Sequence, residues 1–142
     1  MAVFNKILIP FDGSEPSKKA AEKAFELAVD QGAEVYGIKV ISFIGELITP
    51  SDSLWATIEA DLREKARSIL KELETMAENK GVKITTTVRE GSAESEVINY
   101  AKEIGADLIV MSTGGKGGMG RYLGKTADRV MREAPCPVMV VR

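Results

Sequence analysis

DLIVMSTGGKGGMGRYLGKTADRV, Asp107 to Val130, is the stretch whose reading decides the fold. It opens on the apolar run Leu108-Ile109-Val110-Met111, which reads as a buried strand. Six of the thirteen glycines follow: Gly114, Gly115, Gly117, Gly118, Gly120 and Gly124. Lys125-Thr126 then lead into Ala127, Val130 and Met131, which have helical spacing. A strand that breaks into glycines and restarts as a helix is suited to holding a phosphate. Glycine lets backbone N–H groups approach the anion, and the helix N-terminus adds positive partial charge. Lys116, Arg121 and Lys125 add cations to the same segment.

The chain on either side repeats this alternation of strand and helix. Phe4 to Pro10 reads as a first strand, with Ile7-Leu8-Ile9 apolar on both faces. Phe11-Asp12-Gly13-Ser14 turns the chain, and Ser14 is suited to cap a helix that runs to about Asp30 before Gly32. Glu34 to Ile41 is a second strand. After a loop from Ser42 to Ser53, a long amphipathic helix carries Ile58, Leu62, Ala66, Ile69, Leu73 and Met76 on one stripe. Its wet face offers two i,i+4 pairs, Glu59 with Arg63 and Asp61 with Lys65, and Trp55 near its start reads as a packing anchor.

Val82 to Arg89 alternates apolar or threonine positions with Lys83, Thr85, Thr87 and Arg89, the pattern of an edge strand with one wet face. Ser92 caps a third helix with Val97, Ile98, Ala101 and Ile104 inward, and Gly105 ends it. The fourth helix runs to about Arg132. Pro135-Cys136-Pro137 stops it, and Val138 to Val141 is a fifth strand. Five strands alternating with four helices through short connections predict an α/β fold. Its sheet is parallel and doubly wound, with helices on both faces and a single domain over 1–142. In such sheets a ligand sits outside the carboxyl ends of the strands, where the strand order reverses.

Composition narrows the function classes. A formal net charge of −2 gives no bulk attraction for nucleic acid or an anionic membrane. No apolar run approaches the roughly 18 residues of a membrane span. With one cysteine, Cys136, and no secretory leader, a cytoplasmic location is expected. There is no histidine, so every mechanism that needs an imidazole is excluded. Gly124-Lys125-Thr126 resembles the end of a P-loop, but that motif needs glycine where Met119 stands. Asp12 is either a turn residue that bonds its own backbone or a carboxylate placed for ribose hydroxyls or an amine.

The N-terminal ILIPFDGS, then ADLIVMSTGGKGG and LGKTADRVMREAPCPVMVV, resemble the universal stress protein family along essentially the whole chain. The resemblance implies a Rossmann-like sheet in the strand order 3-2-1-4-5. It also implies an ATP site, possibly with magnesium as the phosphate counter-ion. Carried over by position, Pro10, Asp12 and Val40 would flank adenine and ribose. Met111, Ser112 and Gly115 would border the ribose and α-phosphate, and Gly124, Lys125 and Thr126 would meet the outer phosphates. The nucleotide-binding branch of the family carries G-x2-G-x9-G-[ST]. Here Ser112 stands in place of the first glycine, eight residues separate Gly115 from Gly124, and Lys125 replaces Ser or Thr. The family also has a branch that binds no ATP.

The expectation is therefore an ATP-binding stress-response or regulatory module with at most slow hydrolysis. The alternatives are a dimeric interaction protein on the same fold that binds no nucleotide, and an enzyme on that fold. In this order the fifth strand is an edge without charge or internal proline, so a homodimer paired through Val138 to Val141 is expected.

Overall fold

The computed structural model describes residues 2–42, 52–114 and 123–142. Along the chain run β1 (Lys6–Pro10), α1 (Glu15–Gln31), β2 (Glu34–Ile41), α2 (Asp52–Asn79) and β3 (Ile84–Glu90). Then come α3 (Ala93–Ile104), β4 (Leu108–Ser112), α4 (Lys125–Glu133) and β5 (Val138–Val141). The strands form one parallel sheet in the order β3-β2-β1-β4-β5, as the sequence predicts.

Period-two alternation in the strands divides the interior into two cores. Ile7, Ile9, Val35, Leu108 and Val110 face α1 and α2, where they meet Ala24, Phe25, Leu70 and Leu73. Leu8, Ile38, Ile109 and Met111 face α3 and α4, where they meet Val97, Ala101, Ala127 and Val130. The fully buried triplet Ile7-Leu8-Ile9 therefore serves both layers. At Gly37 of β2, α2 packs directly on the bare strand backbone. A β-carbon built there would lie 2.5 Å from Leu73 Cδ2, and Leu73 is fully buried.

Helix ends follow their capping residues. The Ser14 hydroxyl accepts from the Ser17 amide and the Ser92 hydroxyl from the Ser95 amide. Gly32 and Gly105 end α1 and α3 in the left-handed conformation.

Several details depart from the sequence reading. β1 starts at Lys6 rather than Phe4, because the Asn5 and Lys6 amides donate to the Asp107 carboxylate at 2.8 and 3.0 Å. The Val3 and Phe4 amides donate to Gln31 Oε1 at 2.6 and 3.1 Å. β3 starts at Ile84, since the Val82 amide closes the end of α2 on the Ala77 carbonyl. In α2 the buried residues are Ala66, Leu70, Leu73 and Ala77, while Ile58, Leu62, Ile69 and Met76 are half-buried at the margins.

Glu59 pairs with Arg63 at 3.4 Å, and Arg63 also reaches Glu90 at 3.5 Å. Asp61 and Lys65 are exposed and do not pair with each other. Trp55 is half-buried. The edge strand β3 is less wet than alternation suggests. Arg89 is half-buried, with its guanidinium 5.0 Å from the Tyr100 ring centre and in ion pairs with Glu96 and Glu103. The opposite edge, β5, carries an exposed Met139 and three half-buried valines.

Candidate functional site

β1 and β4 are neighbours, but the chain leaves β1 toward α1 and leaves β4 toward α4, on opposite faces of the sheet. A crevice must open between the two connections. A cleft of about 310 Å³ lies there. The end of β1 contributes Pro10 and Asp12, the end of β2 contributes Val40, and the end of β4 contributes Met111 and Ser112. Gly124, Lys125 and Thr126, at the start of α4, close the far side. Eight of the nine residues singled out in the sequence thus line one cleft. The ninth, Gly115, lies outside the described residues, as do Lys116 and Arg121.

The α4 end of the cleft has the chemistry of an anion site. Unlike α1 and α3, α4 has no side-chain cap: its N-cap is Gly124, in extended backbone. Its first intrahelical bond runs from the Asp128 amide to the Gly124 carbonyl at 2.9 Å. The amides of Lys125, Thr126 and Ala127 precede that bond and carry the positive end of the helix dipole.

Glycine at 124 answers to close approach, not to a left-handed conformation, since its φ is −66°. Its amide donates to the Thr113 carbonyl at 2.6 Å. A β-carbon there would lie 2.9 Å from that oxygen and 3.2 Å from Gly114 Cα. The Lys125 ammonium is 3.9 Å from Glu94 Oε1; the lysine side chain is 90% exposed and the glutamate side chain 11%.

Apolar lining comes from Ile38 and Val40 of β2 and from Ala93 and Val97 of α3. Lys39 also lines the cleft, with its ammonium donating to the Val40 carbonyl at 3.0 Å. Asp12 stands at the mouth, exposed overall, with Oδ1 accepting from the Ser14 amide at 2.9 Å. The partial enclosure of its carboxyl works against the charged form. Hydrogen bonds from the Ser14 hydroxyl and amide, aided by the Lys39 ammonium, outweigh that and hold it below the usual carboxylate range. Asp12 is therefore a turn residue that bonds its own backbone, and its charged carboxylate also lines the cleft.

Sequence reasoning missed Lys39, Ser17, Ala93 and Val97. Val97 reads only as a core position of the third helix, and Lys39, Ser17 and Ala93 are not singled out by any spacing. No pattern along the chain brings the start of α3 to the end of β2. Cys136 carries no sign of reactivity: burial pushes its thiol up, and the Asp107 charge adds to the shift. Among the described residues no cluster of three or more acidic or cysteine side chains could hold a metal ion.

The sequence model of the universal stress protein family matches residues 4–142. A universal stress protein of Methanocaldococcus jannaschii is 42% identical over 141 residues, which span 99% of this chain and 83% of that one. The chain belongs to the universal stress protein family.

Solved members share its fold. Universal stress protein UspA from Lactobacillus plantarum superposes with a TM-score of 0.84 at 23% identity, each chain covered in full. A universal stress protein in complex with cAMP superposes at 0.76, with 22% identity and 99% of both chains covered. A family protein of Arabidopsis thaliana with AMP bound superposes at 0.71, with 17% identity, covering 96% of this chain and 90% of that one. At these identities the likeness concerns the fold of this chain.

Proposed function

We propose that this universal stress protein binds an adenine nucleotide, ATP in the first instance, and acts as a ligand-dependent module. The observation that carries this reading is the make-up of one cleft. It combines an uncapped helix N-terminus, with Gly124 held against the Thr113 carbonyl, and apolar lining from Ile38, Val40 and Val97. Phosphates suit the first and a flat base suits the second.

In this reading Pro10, Asp12 and Val40 flank the base and ribose, and Met111, Ser112 and Gly115 border the ribose and first phosphate. Gly124, Lys125 and Thr126 meet the outer phosphates. Family members with AMP and cAMP support a nucleotide as the ligand class. Magnesium enters only as a counter-ion carried on the phosphates, since no described acidic cluster is suited to ligate it. The chain acts as one domain and works in the cytoplasm; no helix among the described residues is long and apolar enough to cross a membrane. It pairs with a second copy through the β5 edge.

Titration calorimetry with millimolar Mg-ATP tests the reading. The expected dissociation constant is micromolar to sub-millimolar, roughly −5 to −8 kcal/mol. No heat together with no thermal shift would overturn it. A second reading, an interaction protein without nucleotide, is favoured by one observation: Lys125 faces a protein carboxylate, Glu94.

A further inference from the structure

We propose that Glu94 sets how many phosphates the cleft accepts, acting through Lys125; the inference rests on the nucleotide reading above. Among the described residues only Ser17 and Glu94 are buried polar or charged side chains. Glu94 sits in the first turn of α3, where the helix dipole favours a carboxylate. Glu94 is not itself a lining residue, but it is buried and its carboxylate lies beside Lys125, which does line the cleft. Its partner across the gap between the two helix N-termini is Lys125, at 3.9 Å.

The two charges are unequally screened. Lys125 is almost fully in water, so its pairing with Glu94 is weak and the ammonium can turn to a better acceptor. Glu94 is enclosed, so its negative charge is fixed in place and poorly screened. In the nucleotide reading the first phosphate lies by Met111 and Ser112, away from Lys125. Further phosphates reach the first turn of α4, and with it Lys125 and the carboxylate behind it. Lys125 then bridges ligand and Glu94, and Glu94 counts against each added negative charge. A lysine where relatives in the nucleotide-binding branch carry Ser or Thr thereby acquires a purpose: it neutralises a carboxylate that would otherwise repel the ligand.

The test is calorimetry with AMP, ADP, ATP and inorganic tripolyphosphate on four proteins: wild type, Glu94→Gln, Lys125→Gln and the double variant. Glu94→Gln should tighten ATP and tripolyphosphate about three- to tenfold and leave AMP within about twofold. Lys125→Gln should weaken ATP about tenfold or more, and adding Glu94→Gln should restore most of that loss. Glu94→Asp keeps the charge and should keep the wild-type order. If Glu94→Gln does not fold, Glu94→Ser serves in its place, since serine suits the start of a helix.

The inference is overturned if neutralising Glu94 fails to rescue Lys125→Gln, or if it moves AMP and ATP equally. If AMP and ATP bind but no Glu94 variant changes their ratio, the nucleotide reading stands and this inference falls. If tripolyphosphate binds with the Glu94 pattern while AMP does not bind, the inference stands and the nucleotide reading falls. If nothing binds, both fall.

Discussion

Replacing Gly124 by alanine adds one carbon atom at the point where the backbone around β4 and the start of α4 touch. That carbon would lie 2.9 Å from the Thr113 carbonyl oxygen, whereas ordinary contact begins at 3.4 Å. The clash is with backbone, so no side chain can swing aside. The start of α4 must move away by about 0.5 Å, the difference between those distances, and the 2.6 Å bond from the Gly124 amide must lengthen or break. The same movement displaces the free amides of Lys125 and Thr126 from the anion they would hold. A hydrogen bond to a charged group contributes about 1.5–3 kcal/mol, so losing one should weaken ATP roughly 10- to 100-fold. Valine should do more, because it adds two further carbons to a β-carbon that already lies 3.2 Å from Gly114 Cα.

The control is Gly32→Ala at the end of α1. There φ is +66° and no atom lies within 4 Å of the added carbon. It should cost about 1 kcal/mol of stability and leave ATP affinity unchanged. Calorimetry on both variants, with unfolding curves alongside, separates the effects. Wild-type ATP affinity in Gly124→Ala, or equal losses in the two variants, would refute the placement of the phosphates.

Asp107→Ala removes a carboxylate that accepts from two amides at the far end of the sheet, and should cost about 2 kcal/mol in denaturant unfolding without changing ligand affinity. Because Asp12 is held below its unfolded value, its contribution to stability is complete above the ordinary carboxylate range and is lost as pH falls through the lowered value. Unfolding curves for wild type and Asp12→Asn should therefore differ above the ordinary carboxylate range and converge as pH falls through the lowered value. ATP turnover should stay below about 1 s⁻¹ in a phosphate-release assay, because the chain has no imidazole and the described residues include no cluster that could hold a metal; faster turnover abolished by a Gly124 variant would contradict the binding-module reading. Light scattering should find a dimer at tens of micromolar, and lysine at both Met139 and Val141 should release folded monomers; a monomeric wild type would remove the proposed interface.

What could be read from the sequence was what local chemistry dictates. Ser14 and Ser92 announced their helices because a hydroxyl at that position has a specific amide to accept from. Gly32 and Gly105 announced the ends because few other residues take the left-handed turn. The apolar triplet Ile7-Leu8-Ile9 implied burial on both sides, and that implied two layers of helices. The stripe on α2 was harder. Leu70 and Ala77 join Ala66 and Leu73 as the buried positions, and Leu73 packs where Gly37 leaves the strand bare of a side chain. Arg89 read as a solvent-facing edge residue, yet Tyr100, Glu96 and Glu103 of α3 gather around it, and no spacing along β3 foretells partners on another element. The same limit hid Glu94: an acid in a helix's first turn reads as ordinary capping until α4 is brought beside it.

The direction of the strands has a practical corollary for anyone handling this protein. All five point the same way, so the chain enters at one end of the sheet and leaves at the other. The first residues are fastened by Gln31 and Asp107 at the end remote from the cleft. Val141, by contrast, lies in register with Ser112, a cleft residue. A tag, dye or surface tether attached ahead of residue 2 therefore projects away from the ligand. One attached after Arg142 emerges beside the opening and beside the β5 edge, where it can obstruct both.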